Sequence, residues 1–234
     1  MIRRLAELAN RAYIMGQHAC LQEEYSTMTP PSQTIRTIWL EALLARVPGE
    51  GWSEAAARAA ARDAGISPED QALAAPGGVR DLREAFFDAA EQAVTDEIAS
   101  REVTPMKMHE RVALGIRIWL DTLAPHREAV SRATSHAFLP WQTGDAAQRA
   151  WSVADTIWEA AGDTAEDYNR YTKRGLLASV IPSIVFYWQS EPESEALDDF
   201  IMRRLQNAMT LGKTGGQVLG PVLRLFENRQ GPAA

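Results

Sequence analysis

The stretch Ala161–Arg174, AGDTAEDYNRYTKR, lies between two apolar segments and decides the fold class. The segment before it has an apolar stripe at helical spacing, formed by Trp151, Ala154, Ile157, Trp158 and Ala161. The segment after it is apolar on more than one helical face, through Leu176, Leu177, Val180, Ile181, Ile184, Val185, Tyr187 and Trp188. Gly162 stands where a left-handed residue would end the first helix. The pattern predicts two helices joined by a short turn, in an all-α protein.

Helical signals continue in both directions, and strand-like alternation is missing. About ten helices are predicted, at residues 33–47, 53–65, 67–76, 79–100, 106–124, 125–139, 145–161, 165–190, 196–211 and 214–228. They divide into a small N-terminal module (33–100), a larger body (101–211) and a C-terminal amphipathic helix and tail (212–234). Residues 1–32 are interpreted as an uncertain leader, or as a misannotated start with Met28 as the true first residue.

The overall charge argues against one class of partner. A net charge of −7 disfavours nonspecific nucleic-acid binding, which depends on a cationic surface. The single cysteine, Cys20, allows no disulfide within the chain and is consistent with a reducing compartment. No apolar run is long enough to predict a transmembrane helix.

Residues 53–73 have helix-turn-helix spacing, with Gly65 in the turn, and resemble the N-terminal module of TetR-type regulators. The third helix of such a module needs cations or amides to contact bases and phosphates. Here it carries Glu69 and Asp70, and no basic residue lies between Asp63 and Arg80. We therefore expect a degenerate module that does not bind DNA; a ligand-responsive TetR-type regulator is the alternative.

Groups for catalysis or metal binding are not apparent. A di-iron site in a helical bundle needs Glu-x-x-His pairs. The residues three positions before the four histidines are Met15, Met106, Leu123 and Ala133. Nucleophile-elbow, phosphate-loop and dinucleotide motifs are also missing, and residues 212–216 are interpreted as a connection between helices. We expect a protein without enzymatic activity, metal or cofactor.

The two segments around 161–174 allow two interpretations. Pro182 is expected to kink the second helix, and a kinked apolar helix facing an alanine-containing stripe can enclose a cavity. Ordinary core packing explains the same pattern. The candidate cavity residues are Trp151, Ala154, Ile157, Trp158, Ala161, Leu177, Val180, Ile181, Ile184, Val185 and Trp188.

Two surfaces are candidates for contacts with other molecules. The start of the second helix is polar, aromatic and arginine-rich, which suits a protein interface, although a solvated, capped helix start has the same composition. The C-terminal helix has one apolar face, formed by Val218, Leu219, Val222, Leu225 and Phe226. It could lie on a membrane surface, or pack on the body or a partner.

These residues resemble the coenzyme Q accessory lipid-binding family, the ninth protein of the ubiquinone pathway. The family pattern is a tryptophan, then A-G-D, then D-F-N-W-Y-T-R/K-R. The matching residues are Trp158, Ala161, Gly162, Asp163, Asp167, Asn169, Tyr171, Thr172, Lys173 and Arg174. Residues 107–111 and 197–205 are also similar to family segments, and the resemblance covers roughly 35–226.

The resemblance implies a TetR-like homodimer with a pocket for an isoprenoid lipid or quinone precursor and a C-terminal membrane-binding helix. It also implies presentation of that lipid to the di-iron hydroxylase of demethoxyubiquinone. The place of action would be the inner-membrane face of the bacterial cytoplasm, or the matrix side of the mitochondrial inner membrane. The implied docking residues are Asp167, Asn169, Arg170, Tyr171 and Arg174. Arg170 departs from the family, which has tryptophan there.

Overall fold

A computed structural model describes residues 30–135, 143–164 and 168–215, without the side chains of residues 143–145, 168–169 and 211–215. These parts of the chain are helical and contain no strand, which confirms the predicted all-α class. The helices are α1 (Pro31–Leu44), α2 (Val47–Glu50), α3 (Glu54–Asp63), α4 (Pro68–Ala74), α5 (Val79–Ala99), α6 (Met108–Leu123), α7 (Arg127–Thr134), α8 (Thr143–Ala160), α9 (Tyr168–Gln189) and α10 (Ser194–Gly215). A 3₁₀ turn, Ala124–His126, joins α6 to α7.

The N-terminal module has the predicted helix-turn-helix, made by α3 and α4. The Ser53 and Ser67 side chains accept the backbone N–H groups of Ala56 and Asp70, each at 3.1 Å, and so cap the two helices. Gly65 takes φ +68° in the turn between them. The first helix ends earlier than predicted, at Leu44, because Pro48 has no N–H to extend the ladder and instead opens the one-turn α2.

The module is fixed to the body by a tryptophan. The Trp52 indole N–H donates to the Ala129 carbonyl of α7 at 2.9 Å. Its ring packs on Phe86 of α5, with the ring centroids 5.7 Å apart. Arg132 of α7 also donates to the Pro48 carbonyl at 2.9 Å. Because these contacts join residues far apart in sequence, module and body share one core.

A buried polar network joins α5, the last helix of the module, to α8 of the body. Glu91 of α5 is buried and accepts from Arg149 at 2.7 Å, Ser152 at 2.7 Å and Thr156 at 3.2 Å, all on α8. Arg149 also pairs with Glu84 and with Asp88. Burial by itself lowers the pKa of Arg149, but the hydrogen bonds and charges of these carboxylates outweigh it and raise that pKa above its ordinary value.

The C-terminal helices differ in part from the predicted ones. Residues 212–215 were predicted to belong to a connection between helices, and this is wrong because α10 continues without interruption to Gly215. The rest of the helix predicted at 214–228 lies outside the described residues. Helix α9 passes through Pro182, which removes one backbone donor without ending the helix. The leader interpretation (1–32) falls almost entirely outside the described residues, as do Val218, Leu219, Val222, Leu225 and Phe226.

Two features are absent from the described residues. None of their helices is long and apolar enough to cross a membrane. They also bring together no group of three or more histidine, cysteine, aspartate or glutamate side chains that could hold a metal ion.

Candidate functional site

A cavity of about 710 Å³ lies among α5, α6, α7, α8 and α9. This volume falls in the range of small-molecule sites, roughly 300–1,000 Å³. Its wall is mainly apolar, with contributions from Phe87, Trp119, Val130, Ala133, Ala146, Ala147, Ala150, Trp151, Val153, Ala178, Ile181, Pro182, Val185 and Phe186. Of these, Trp151 and Phe186 are 37% and 75% exposed, so they mark the solvent side.

Three of the residues predicted for lipid binding line this cavity, namely Trp151, Ile181 and Val185. The other eight do not line it: Ala154, Ile157, Ala161, Leu177, Ile184 and Trp188 are buried in the core, and Trp158 and Val180 are partly buried. Ile157 of the α8 stripe packs on α6, where a Cβ on Gly115 would lie 3.0 Å from the Ile157 side chain. The two predicted helices do meet, but the cavity opens beside their contact rather than within it. The lipid assignment itself stays a prediction.

The sequence interpretation missed the walls contributed by α5, α6 and α7. Phe87, Trp119 and Val130 come from helices far from the quoted motif, and each belongs to an ordinary apolar helical stripe. No spacing rule distinguishes a cavity-lining position from a core position on such a stripe. Only the packing of the helices separates the two.

An aromatic pair stands where the cavity meets the surface. Trp151 of α8 stacks on Tyr171 of α9, with ring centroids 6.4 Å apart and the ring planes 26° apart. Tyr171 is 62% exposed. Gly175, one turn later on α9, lines the cavity, and a Cβ there would lie 3.7 Å from the Trp151 ring. A predicted docking residue and a cavity residue are therefore in direct contact.

The quoted motif forms an ionic cluster at the corner between α8 and α9. Arg174 is 1% exposed and pairs with Asp155 and, at 3.2 Å, with Asp163. Lys173 pairs with the other oxygen of Asp163 at 2.7 Å. Burial by itself lowers the pKa of Arg174, but the hydrogen bonds and charges of Asp155 and Asp163 raise it above its ordinary value. Arg174 is thus charged, and its guanidinium is held by the carboxylates of this cluster.

The turn that presents Asp163 has the predicted left-handed glycine. Gly162 takes φ +87°, and its N–H donates to the Glu159 carbonyl at 2.9 Å. The N–H of Asp163 donates to the Trp158 carbonyl at 3.0 Å, which completes a Schellman ending. The Trp158 indole in turn donates to the Lys173 carbonyl at 3.2 Å. Ion pairs and this hydrogen bond therefore connect the A-G-D turn to Lys173 and Arg174 at the start of α9.

The predicted docking residues now separate into groups. The assignment of Arg174 needs correction, because a residue 1% exposed in an ion cluster has no surface to offer a partner. Arg170 is partly exposed and reaches Glu159 at 3.0 Å and Asp155 at 3.5 Å. Tyr171 is exposed. Asp167 and the side chain of Asn169 lie outside the described residues.

Comparison with known proteins matches this region to a family. A COQ9 family model matches residues 143–212, which span α8, the motif, α9 and most of α10. The chain resembles COQ9 proteins. It is 27% identical to the human "Ubiquinone biosynthesis protein COQ9, mitochondrial" over 83% of this chain and 64% of the human protein. The probable COQ9 protein of Dictyostelium discoideum is 23% identical over 65% of this chain and 52% of its own length. The resemblance predicted from the motif is confirmed, and the chain spans less than two thirds of these COQ9 relatives.

The fold has a solved counterpart. A TetR transcriptional regulator from Nitrosomonas europaea superposes with a TM-score of 0.60 at 22% identity, covering 76% of this chain and 99% of that chain. This confirms the TetR-like fold predicted for a COQ9-like chain. At this identity the likeness shows the fold alone.

Proposed function

We propose that this protein is a non-enzymatic accessory protein of ubiquinone biosynthesis. It binds an isoprenoid quinone precursor, or another lipid, in the cavity among α5 to α9 and presents it to the di-iron hydroxylase that acts on demethoxyubiquinone. The pathway rests on the similarity to the COQ9 relatives, whose names place them in ubiquinone biosynthesis. The role of the protein is binding and transfer, without a cofactor of its own.

The observation that carries this proposal is the contact between Trp151 and Tyr171. Trp151 lines the mainly apolar cavity, and its ring stacks on Tyr171, which is exposed. A ligand that reaches the solvent side of the cavity would therefore lie beside the predicted docking surface. A protein that hands over a lipid needs this adjacency of cavity and partner surface.

Assembly and location complete the proposal. The protein acts as a homodimer built through α9 and α10, which is supported by the exposed apolar side chains of Phe186 and Met209 on these helices. It acts peripherally at a membrane surface, through Val218, Leu219, Val222, Leu225 and Phe226 of the C-terminal segment. The names of the relatives contain the word mitochondrial, which favours a mitochondrial over a bacterial location. Within mitochondria, we propose the matrix side of the inner membrane.

Extraction of bound lipid tests the central step. The full chain, purified without detergent, is expected to release an isoprenoid quinone or another lipid near one molecule per chain, as measured by mass spectrometry. A folded protein that releases no lipid would contradict the proposal.

The alternative function, a TetR-type regulator, is supported by the fold but opposed by α4. This helix carries Glu69 and Asp70 in its first turn, and its large apolar side chain, Leu73, is 70% exposed. Acidic side chains repel phosphates. Tight, salt-sensitive binding to a DNA duplex would favour the regulator.

Changing Tyr171 to alanine is expected to weaken binding to the purified hydroxylase about tenfold or more, because exposed aromatic residues often carry much of an interface's affinity. Surface plasmon resonance measures the affinity, and size-exclusion chromatography checks that the oligomeric state is unchanged. Tyr171→Phe keeps the ring on Trp151 and should retain most of the affinity. Unchanged affinity in Tyr171→Ala would remove Tyr171 from the docking surface.

A further inference from the structure

Trp119 of α6 has a polar group that the fold leaves unused. It lines the cavity and is 4% exposed. Among the described residues, its indole N–H has no hydrogen-bond partner. Buried polar groups almost always have partners, and an unpaired one lowers stability. Another buried tryptophan, Trp39, donates its N–H to the Ala57 carbonyl at 2.8 Å.

Most of the other polar side chains on the cavity wall, Arg83 and Ser131 excepted, are bonded within the protein. The Thr134, Ser135 and Ser179 hydroxyls donate to backbone carbonyls at 3.0, 3.0 and 2.7 Å. The Gln189 amide donates to the Thr134 hydroxyl at 3.1 Å. Arg149 is held by the carboxylates of α5. The Trp119 N–H differs from these groups because its bonding capacity is free.

Trp119 also lies on the inner side of the cavity. The wall around the inner side is apolar and buried, as at Phe87, Val130 and Val153, whereas Trp151 and Phe186 stand on the solvent side. A pure hydrocarbon fits such a wall but leaves the N–H unpaired. A ligand that carries an oxygen acceptor would satisfy it.

We propose that the Trp119 N–H donates a hydrogen bond to a carbonyl oxygen of the bound ligand, and so selects a carbonyl-bearing lipid over a pure hydrocarbon. The acceptor is a quinone carbonyl or a glycerolipid ester carbonyl, which share this chemistry. Because the indole nitrogen is closely covered in the empty protein, binding requires a small side-chain movement that turns it to the ligand. This inference rests on the proposed lipid-binding function and adds the residue that recognises the ligand.

The test is Trp119→Phe in the full chain, which keeps a large ring and removes the donor. Three probes are titrated into delipidated protein: a benzoquinone with a short prenyl chain, the corresponding prenylated benzene, and a monoacylglycerol. The variant is expected to bind the benzoquinone about tenfold more weakly, the effect of one hydrogen bond to a buried donor. Its affinity for the prenylated benzene should change less than about twofold on the same reasoning. A loss that extends to the monoacylglycerol identifies general carbonyl recognition, and a loss confined to the benzoquinone identifies quinone recognition.

Nuclear magnetic resonance of the indole N–H groups gives a second readout. The signal that Trp119→Phe removes should move on addition of benzoquinone and stay in place with the prenylated benzene. Unchanged benzoquinone affinity, or equal losses for benzoquinone and hydrocarbon, would overturn the role of Trp119 while lipid binding itself stands. If the unaltered protein binds none of the probes, the lipid-binding function fails and the assignment of Trp119 fails with it.

Discussion

Replacement of Arg174 by methionine is expected to lower the free energy of unfolding by about 3 kcal/mol, because removing one partner of a buried ion pair leaves the other charge uncompensated. Asp163, whose side chain is 5% exposed, would lose one of its two cations, and Asp155 would also lose a partner. Lys173 still pairs with Asp163 at 2.7 Å, so the loss should be near the lower end of the range for buried pairs. Chemical denaturation followed by circular dichroism measures it.

Arg170→Met is the matched control on the same helix. Arg170 pairs with the same acidic side of α8, at 3.0 Å to Glu159 and 3.5 Å to Asp155, but its side chain is 37% exposed. Exposed pairs contribute about 0–1 kcal/mol, so this variant should unfold close to the unaltered protein. If both variants lose equal stability, the burial of Arg174 adds nothing to the stability of the protein. The assignment of Arg174 as a structural instead of a docking residue would then be wrong.

Replacement of Gly175 by tryptophan is expected to reduce bound lipid at least tenfold. Gly175 lines the cavity on α9, and its Cβ direction lies 3.7 Å from the Trp151 ring, so a large side chain there fills the solvent side of the cavity. Apolar filling should leave the fold intact, because it occupies existing space instead of displacing core. Mass spectrometry of extracted lipid, at equal protein concentration, gives the ratio.

Gly175→Ala controls for the change of residue class. A single methyl group at an ordinary 3.7 Å contact leaves the cavity open, and alanine favours a helix by about 1 kcal/mol over glycine. This variant should therefore keep its lipid and unfold at a slightly higher temperature. Full lipid content in Gly175→Trp would show that lipid, if bound, occupies some place other than this cavity.

The Arg174 and Gly175 variants test neighbouring residues of α9 with different roles. Arg174 faces the ion cluster that holds α8 to α9, and Gly175 faces the cavity that opens beside the contact of these two helices. The two effects should separate, since Arg174→Met lowers stability whereas Gly175→Trp lowers lipid content. A lipid bound in the cavity would itself stabilise the protein, so the stabilities are best compared after delipidation.

The local structure of the motif Ala161–Arg174 could be predicted from sequence, but the burial of its side chains could not. The glycine turn, the helix on each side and the family resemblance are visible in it, because local backbone preferences and spacing determine them. Its role was harder to predict. Lysine and arginine near a helix start suit an exposed interface, and sequence gives no measure of burial. The fold places Arg174 inside and leaves Tyr171 outside, three residues away.

The sequence by itself determined the all-α class, the caps at Ser53 and Ser67 and the helix-turn-helix, since each depends on neighbours within one or two turns. It also determined the resemblance to COQ9 proteins, which needs no knowledge of the packing. Tertiary structure alone decided where the cavity lies, that Ile157 is core whereas Trp151 is cavity wall, and that Trp119 keeps an unpaired N–H. The physical reason is that burial and hydrogen-bond pairing are properties of several helices together. Periodicity assigns a residue to a face of its helix, but only packing decides whether that face meets another helix or an open space.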